Sequence, residues 1–395
     1  MEAVRVDIQL LTSERLASHL DVWSDLAADA LTPNVFYEPW MLLPALAGAD
    51  ADRLRFLLVF GPAAGSGPRP LWGFFPLELQ SSCLRLPIRT LAFWQHRYCY
   101  LTLPLLHRDH APATLEAFWR WFEHNPLHCR ILDTNWLLAD GPFHTAWTEF
   151  TLGRTAVLLN DFPRALFQPA GSVPAYLGRL VSRKGQNEFQ RRERRLAELG
   201  RLEYTTPQTP AEAALWADDF LRLETMGWKG TEEEGKAFGR DSADAAYFRD
   251  VTRTGFEHHR VLPLSLTLDG RPIAMRHTLL AGCGSYAFRT GYDEHYAKYS
   301  PGLLLELETM RRIAAHPEVH WMDSCAAPRH PLLTRIWRER RMIRRSLFSA
   351  GSISADLLVS ALPLLRWIGK FLRPRAIPDY LQVSTKLTST EAKSR

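Results

Sequence analysis

Residues 260–292 read RVLPLSLTLDGRPIAMRHTLLAGCGSYAFRTGY, and this stretch decides the fold of the second half of the chain. Three runs of strand-forming residues are separated by Asp269-Gly270 and by Gly282-Cys283-Gly284. Both separators are turn sequences, because glycine and aspartate adopt the positive φ that a tight hairpin needs. The pattern therefore predicts a meander of three antiparallel strands.

Helical and strand-like patterns flank the meander on both sides. The spacing of apolar residues, the caps and the turn residues predict the following elements. They are two helices within 172–200, a strand at 202–206, helices at 210–226 and 242–259, the meander, a helix at about 302–315, a buried strand at 319–323, a helix at 331–340 and a strand near 345–348. This order predicts an α/β protein of the mixed, α+β kind, with a sheet flanked by helices.

Length and composition predict a globular chain of more than one domain. The chain has 395 residues, 46% of them hydrophobic, which exceeds the size at which a single core stops growing. A turn-prone stretch at 160–174, NDFPRALFQPAGSVP, separates the two halves. We expect domains at residues 1–165 and 171–350, followed by a C-terminal helix and tail at 351–395.

Charge, cysteines and hydropathy limit the functional classes. A net charge of +5 is mild for this length and fits ordinary solvated basic faces as well as an anionic partner. The five cysteines are odd in number and lack C-x-x-C spacing, which favours a reducing, cytoplasmic location. No signal peptide or membrane-spanning run is predicted. Residues 353–368 predict an amphipathic helix whose leucine stripe packs on the core or docks on a membrane surface.

A candidate ligand site follows the meander, in residues 290–310, TGYDEHYAKYSPGLLLELETM. Ser300-Pro301-Gly302 opens a helix, and the backbone N–H groups and dipole at such a start attract an anion. Lys298 adds a full charge, and the small residue Gly302 lets a pyrophosphate approach the backbone before Leu303. Simple helix capping is the alternative.

An ordered set of segments resembles a known family. The segments SRKGQNEFQRRERRLAELG, LETMGWKG, LDGRPIAMRHTL, TGYDEHYAKYSPGLLLELE and WMDSC lie in order within residues 182–325. They resemble the CelD-like acetyltransferase branch of the GNAT superfamily, which is related to the FemABX peptidyltransferases. NVFYEPWMLL and LAFWQHRYCYLTLPLL extend a looser likeness into the first half. The resemblance implies two tandem GNAT-like domains, of which the first is degenerate, with a mostly antiparallel central sheet.

The same resemblance implies an activity. It implies an N-acyltransferase in which the pyrophosphate of acetyl-CoA or another acyl-CoA binds at the start of the helix after Ser300. The acyl group then passes directly to an amine of a sugar, glycan precursor or similar polar metabolite, as in polysaccharide biosynthesis. KYSPG stands where the family has a glycine-rich phosphate loop, so the donor loop departs from the standard one. No metal is expected, because no metal-binding spacing such as H-E-x-x-H is present.

Strand ends supply the predicted catalytic groups. Asp323, at the end of a buried strand beside the donor helix, is the predicted base or acceptor-positioning carboxylate. The alternative is that the Asp323 carboxylate only accepts hydrogen bonds from nearby backbone N–H groups. Tyr292 and Tyr296 are predicted to protonate the thiolate, and packing is the alternative for both.

Further residues, in three pairs and one single position, are considered for substrate binding. Arg183 and Lys184 open a basic helix, while Trp228 and Lys229 lie in a glycine-flanked turn that can close over an acceptor. Arg276 and His277 alternate on a strand, so one faces the core or a cleft and the other faces away; a core histidine with a surface arginine is one alternative. The remaining residue is His96, in a polar cluster of the first domain.

Two other functions stay open at this point. The FemABX kinship implies a transferase that takes its donor group from an aminoacyl-tRNA, for which the arginines of residues 183–195 are the motive. The departure at KYSPG leaves room for a non-catalytic scaffold in exopolysaccharide assembly.

Overall fold

A computed structural model of the chain describes residues 6–63, 67–84, 86–169, 171–231, 235, 237–328, 330 and 332–372. The side chains of Trp228, of 365–366 and of 368–372 also lie outside this description. The chain forms two compact units, Met1–Pro163 with Arg341–Arg395, and Arg164–Arg340. We call them unit 1 and unit 2. The sequence analysis predicts contiguous domains at residues 1–165 and 171–350. These bounds stay a prediction.

The described elements are as follows. The strands are β1 (Asp7–Leu11), β2 (Leu54–Phe60), β3 (Leu71–Gln80), β4 (Thr90–Phe93), β5 (Leu105–Leu106), β6 (Ile131–Asp133), β7 (Leu137–Leu138), β8 (Ala156–Phe167), β9 (Leu202–Thr205), β10 (Val261–Leu268), β11 (Arg271–Ala281), β12 (Gly284–Tyr292), β13 (Trp321–Asp323) and β14 (Glu339–Ser349). The helices are α1 (Leu20–Ala28), α2 (Pro39–Ala45), α3 (Ala111–Glu123), α4 (Gly141–Thr151), α5 (Val173–Gly178), α6 (Arg183–Ala197), α7 (Pro210–Met226), α8 (Ser242–Glu257), α9 (Pro301–Ala315), α10 (Leu333–Ile336) and α11 (Ile353–Leu372).

The predicted meander is confirmed as β10, β11 and β12, which pair antiparallel in that order. The first hairpin closes between Leu268 and Arg271. Its two turn residues, Asp269 and Gly270, have φ values of 49° and 78°. Positive φ at both central positions defines the type I′ turn, whose twist matches that of the flanking strands. The turn chemistry read from the sequence therefore sets the register of the meander.

Each unit is built on the same order of strands. In unit 2, β9 to β12 run antiparallel, β13 is parallel to β12, and the end of β8 pairs antiparallel with β13. In unit 1, β1 to β4 run antiparallel, β6 is parallel to β4, and β14 pairs antiparallel with β6. The chain is therefore a tandem repeat. In sequence β8 follows β6 and β14 follows β13, so the two repeats have exchanged their last strands.

The helix predicted at 331–340 is wrong in extent. Helix α10 spans only Leu333–Ile336, and the chain is already in β14 at Glu339. Buried Arg341 and Ile343 alternate with more accessible neighbours in the first half of β14. This period of two is a strand signal that the basic residues RERRMIRR obscure in the sequence.

The sheet of unit 2 carries helices on both faces. Arg276 of β11 points to Glu306 of α9, and its neighbour His277 points to Thr252 of α8. Because successive side chains of a strand point to opposite faces, α9 covers one face and α8 covers the other. The α8 face is aromatic, with the rings of Phe248, Trp216 and Phe288 within 5.1–5.8 Å of the His277 ring.

Candidate functional site

The parallel pairing of β12 with β13 ends in the middle of the unit 2 sheet. Their parallel ladder covers three positions and ends at Tyr286 and Asp323, whereas β12 continues to Tyr292. The register with β11 slips by one residue at Phe288, which is a β-bulge and turns the strand locally. An opening at the carboxyl ends of parallel strands is a common place for a ligand in sheets flanked by helices.

Helix α9 begins next to the end of β12 with an unusual first turn. Ser300 has a φ of 54°, and its carbonyl accepts the N–H groups of Leu303 at 3.0 Å and Leu304 at 3.2 Å. Pro301 has no N–H group. Among the backbone hydrogen bonds of the described residues, the Gly302 N–H is therefore the first-turn donor that has no backbone acceptor. The helix start offers an anion fewer donors than the sequence implied.

A basic side chain compensates for the missing backbone donors. Arg192 of α6 donates a hydrogen bond to the Ser300 hydroxyl and another, at 2.9 Å, to Glu188. Its guanidinium is only partly exposed, so it is held at the α9 start rather than extended into solvent. Lys298 is exposed and lies with its Nζ 4.9 Å from the centre of the Tyr299 ring. The α9 start therefore has one backbone N–H, a helix dipole and a fixed guanidinium for an anion.

Tyr292, Tyr296 and Leu303 are mainly packing residues in this structure. Both tyrosines are partly buried against the apolar cluster that includes Leu304 and Leu305. A Cβ at Gly302 would lie 3.4 Å from the Tyr292 ring, so that ring borders the first turn of α9. Leu303 is buried among the apolar residues on the α9 face of the sheet. The predicted roles of the tyrosines in proton transfer and of Leu303 in donor binding stay predictions.

Arg276 lies inside the protein, in an ion pair with Glu306. Their side chains are only 4% and 2% exposed, and Arg276 also lies 3.4 Å from the Thr290 hydroxyl. The alternative of a surface arginine at this position is therefore wrong. Burial raises the pKa of Glu306, and the Arg276 guanidinium opposes that shift. The pair ties α9 to β11, and the contact with Thr290 extends the link to β12.

His277 is the core histidine that the sequence offered as one alternative. Its Nε2 lies 3.1 Å from the Thr252 hydroxyl, and the ring is enclosed by aromatic side chains. Burial lowers the pKa of His277 to about 3, because the imidazolium would lose its hydration. The ring is therefore neutral at pH 7.

A second buried carboxylate organises the other side of the β12 end. Glu224 of α7 accepts hydrogen bonds from Lys229 at 3.2 Å and from the Phe238 N–H at 3.0 Å. Arg289 lies 3.7 Å from it, stacked on the Phe238 ring. Lys229 also donates to the Thr290 carbonyl at 2.5 Å. These contacts hold the turn after α7 against the last residues of β12.

A cavity of about 10 Å³, the size of one water, lies within this cluster. Its lining residues are Leu223, Glu224, Gly227, Lys229, Thr290, Gly291 and Tyr292. Gly230 makes the turn possible, because a Cβ at this position would lie 1.7 Å from the Thr225 carbonyl oxygen. The GWKG sequence is thus a tight turn that brings Lys229 to the strand end.

Asp323 is enclosed rather than open to solvent. Its carboxylate accepts the Cys325 N–H at 2.8 Å and lies 3.5 Å from Arg164, and both side chains are at most 1% exposed. Cys325 has a φ of 50°, so the chain turns sharply directly after β13. These contacts agree with the alternative in which local backbone groups satisfy the carboxylate. Its predicted role as a base stays a prediction.

His330, which the sequence analysis did not select, is a further partly buried histidine of unit 2. Burial lowers the pKa of His330 to about 4, and the positive charges of Lys229 and Arg276 act in the same direction. The Nδ1 of His330 accepts the Leu333 N–H at 3.3 Å, so the neutral ring carries its proton on Nε2.

The remaining predicted residues lie apart from the β12 end or outside what is described. Arg183 and Lys184 are exposed in the first turn of α6, and Lys184 is about 12 Å from Arg192 along the helix axis. The Trp228 side chain is outside the described residues. His96 of unit 1 is buried with Nε2 3.0 Å from the Phe36 carbonyl, and burial lowers its pKa to about 4. Substrate binding by these residues stays a prediction.

Around Thr290, the structure brings together three of the predicted residues, Tyr292, Lys229 and Arg276. Sequence reasoning missed Glu224, and the available signal was an acidic residue at an otherwise apolar helical position of α7. His330 gave no signal, because it lies in an irregular segment. Within the described part of the chain, no group of three or more His, Cys, Asp or Glu side chains is placed to hold a metal ion.

A comparison with protein families matches residues 183–330 to the acetyltransferase (GNAT) domain. The match begins with α6, includes the meander, the α9 start and β13, and ends at His330. Residues 183–330 are therefore a GNAT acyltransferase domain, and the reaction class of that domain is N-acyl transfer. Unit 1 repeats its strand order, within the predicted mixed sheet.

Solved structures share the fold across both GNAT-like units. The crystal structure of FemX is 8% identical, with a TM-score of 0.56, and the alignment covers 91% of this chain and 99% of FemX. A conserved protein of unknown function from Bacteroides thetaiotaomicron VPI-5482 is 10% identical, with a TM-score of 0.52, over 87% of this chain and 100% of that one. The comparison with curated proteins finds no match. At such identities the likeness concerns the fold alone.

Proposed function

We propose that the GNAT domain transfers an acyl group, in the first instance acetyl, from acyl-CoA to an amine of a sugar, glycan precursor or similar polar metabolite. The observation that carries the proposal is the start of α9 beside the end of β12, beyond the last residues that pair with β13. The Gly302 N–H and Arg192 give that start a positive end for the donor's pyrophosphate. The pantetheine and the thioester are then proposed to lie along the end of β12.

The transfer needs one bond formed and one broken. The neutral amine attacks the thioester carbonyl carbon, a C–N bond forms, and the carbonyl oxygen becomes an oxyanion. The C–S bond then breaks, the coenzyme leaves as a thiolate, and the nitrogen loses a proton to water. No covalent intermediate with the protein is required. The protein must therefore position two substrates and stabilise negative charge.

His330 is the proposed donor to that negative charge. Because its Nδ1 accepts a backbone N–H and its pKa is lowered to about 4, the ring is neutral and presents Nε2–H. A neutral imidazole in this state donates a hydrogen bond without bringing a charge into a buried site. The positive charges of Lys229 and Arg276 also disfavour the imidazolium, which agrees with a neutral ring. The proposal gives this region the role of an oxyanion site.

Asp323 fits a positioning role better than that of a base. A base must reach the amine, and Asp323 is enclosed with Arg164 and the Cys325 N–H. Its contacts instead stabilise the sharp turn after β13, which leads to His330. Asp323→Asn is therefore expected to lower turnover by displacing this segment, with little change in the affinity for acyl-CoA.

The donor site is tested by calorimetric titration of the full chain with acetyl-CoA and with coenzyme A. Arg192→Met removes the guanidinium at Ser300 and is expected to raise the Kd about tenfold or more. Arg191→Met is the matched control, since Arg191 pairs with the same Glu188 but is more exposed. Equal Kd values for the two variants would remove Arg192 from the donor site. Absence of binding to either ligand would overturn the donor assignment.

The reaction itself is tested by release of coenzyme A thiol with a panel of amines. Amino sugars, nucleotide-linked amino sugars and amino acids are the arms of the panel. Product mass must increase by one acyl group, which separates transfer from simple hydrolysis of the thioester. Hydrolysis with no acylated amine in any arm would contradict the proposed acceptor class.

One observation favours a second candidate, a transferase whose donor is an aminoacyl-tRNA. Arg183, Arg191, Arg194 and Arg195 are exposed on α6 and form a basic surface that suits a phosphate backbone. Retention of tRNA that falls with rising salt and is lost in the charge-reversed variant of all four arginines would support it. Absence of tRNA binding at low salt would exclude it.

A further inference from the structure

The C-terminal helix α11 is built with two different apolar faces. Ala355, Val359 and Leu362 are buried and pack against Cys83, Ile131, Leu159 and Leu347 in a core cluster of unit 1. This face explains why the helix forms where it does. It leaves the opposite face of the helix without a role in the core.

That opposite face carries large apolar side chains in solvent. Ile353, Leu357, Leu364 and Trp367 are 81%, 66%, 58% and 59% exposed. At about 100° per residue these four positions fall within an arc of about 80°. A single exposed leucine is ordinary on a protein surface, but an aligned stripe of this kind marks an interaction site. We call these four residues the α11 stripe.

A basic groove runs along one flank of the stripe. It has a volume of about 250 Å³ and is lined by Ile88, Arg89, His128, Arg130, Ile131, Ser354, Ala355 and Leu358. Arg89, His128 and Arg130 are exposed, and these lining residues include no acidic one. Ser354 and Leu358 come from α11 itself. An apolar stripe and positively charged side chains therefore meet along one helix.

The sequence continues the same chemistry. Residues 364–375, LLRWIGKFLRPR, contain Arg366, Lys370, Arg373 and Arg375 and no acidic residue. Apolar and aromatic residues beside basic ones are the composition of helices that lie in the interface of an anionic membrane. A second copy of this chain is a poorer partner for the stripe, because its basic groove would meet another basic groove.

We propose that α11 and the groove beside it form a docking surface for a membrane that contains anionic phospholipids. The α11 stripe enters the boundary between headgroups and acyl chains, with the helix parallel to the membrane. Arg89 and Arg130 hold lipid phosphates at the flank. No helix among the described residues is long and apolar enough to cross a membrane. This surface does not depend on the acyl transfer proposed for unit 2.

The test is co-sedimentation of the full chain with vesicles of phosphatidylcholine, with and without phosphatidylglycerol, at low and high salt. We expect binding to the vesicles that contain phosphatidylglycerol and a lower affinity at high salt. Leu357→Glu and Leu364→Glu should each weaken this binding about tenfold or more, because each variant replaces an apolar side chain that would be buried in the membrane with a charged one. Arg89→Glu and Arg130→Glu should each weaken it about fivefold or more.

The matched control is Leu152→Glu, which adds the same charge at a leucine that is 83% exposed and outside α11. It should bind vesicles as the unchanged chain does, and circular dichroism confirms the fold of every variant. Equal binding of Leu357→Glu and Leu152→Glu would overturn the proposal. So would binding to pure phosphatidylcholine alone, or no binding to either vesicle. If the chain does not bind vesicles but forms a dimer, and Leu357→Glu dissociates that dimer, the α11 stripe is a self-association surface instead.

Discussion

The buried ion pair between Arg276 and Glu306 makes a strong prediction about stability. Both side chains are almost completely buried, so removal of one charge leaves the other without a partner in the interior. Loss of one member of such a pair costs about 3–5 kcal/mol. Glu306→Gln is therefore expected to destabilise the α9 region by that amount.

Hydrogen–deuterium exchange of the full chain measures the effect locally, which avoids the assumption that both units unfold together. At 1.36 kcal/mol for each tenfold, peptides from α9 and β11 should exchange about 160-fold to 5,000-fold faster. Glu308→Gln is the matched control, because Glu308 lies on the same helix and pairs with the surface residues Arg311 and Arg312. We expect at most about 1 kcal/mol from that change.

The double variant Arg276→Met/Glu306→Leu separates the charge from the packing. Apolar replacement of a buried pair is often neutral or stabilising, so exchange in α9 should return to within about tenfold of the unchanged chain. Burial raises the pKa of Glu306, so the competing possibility is a protonated carboxyl. An effect of Glu306→Gln below about 1 kcal/mol would show that the carboxyl is neutral and refute the ion pair.

Three other substitutions test single groups of unit 2. His330→Ala should lower kcat about 100-fold with an unchanged Kd for acyl-CoA. His330→Gln should retain part of the rate, because its amide N–H can donate the same hydrogen bond. An unchanged kcat of His330→Ala would exclude the donor role. Glu224→Gln should lower kcat/KM for the amine about tenfold or more by releasing Lys229, whereas Asp219→Asn, at a more exposed site of α7, should not. The pKa of His277 falls from 6.5 to about 3 on folding, so stability is complete above pH 6.5 and declines as the pH falls towards 3. The loss at pH 5 is about 2 kcal/mol, and His277→Gln should remove that part of the pH dependence of urea unfolding.

The elements of unit 2 were largely predictable because their signals are local. Asp269-Gly270 specifies the type I′ turn, and the helix predicted at about 302–315 is α9, Pro301–Ala315. The order of these elements also carried the family resemblance, and the match of residues 183–330 confirms its coarser part, the GNAT domain. Local signals failed at residues 331–340, where charged side chains hide the alternation of β14.

The contacts of the candidate site depend on distant residues and were less predictable. The alternation of side chains on β11 requires Arg276 and His277 to face opposite sides of the sheet. Which of the two sides has a carboxylate depends on Glu306, which lies thirty residues further along the chain from Arg276. The enclosure of Asp323 depends on Arg164, which a strand from the first repeat brings to it. A single sequence contains no spacing rule for such pairings, so His330 and Arg192 could not be selected.

The exchanged strands also have a consequence for synthesis on the ribosome. Unit 1 completes its sheet with β14, which pairs with β6 across more than two hundred positions of sequence. The first 163 residues therefore leave the exit tunnel with β6 as an unpaired sheet edge. Its partner β14 becomes available only when nearly the whole chain has been translated. An unpaired edge invites aggregation during this interval, so we expect the nascent chain, unlike the finished protein, to require chaperones.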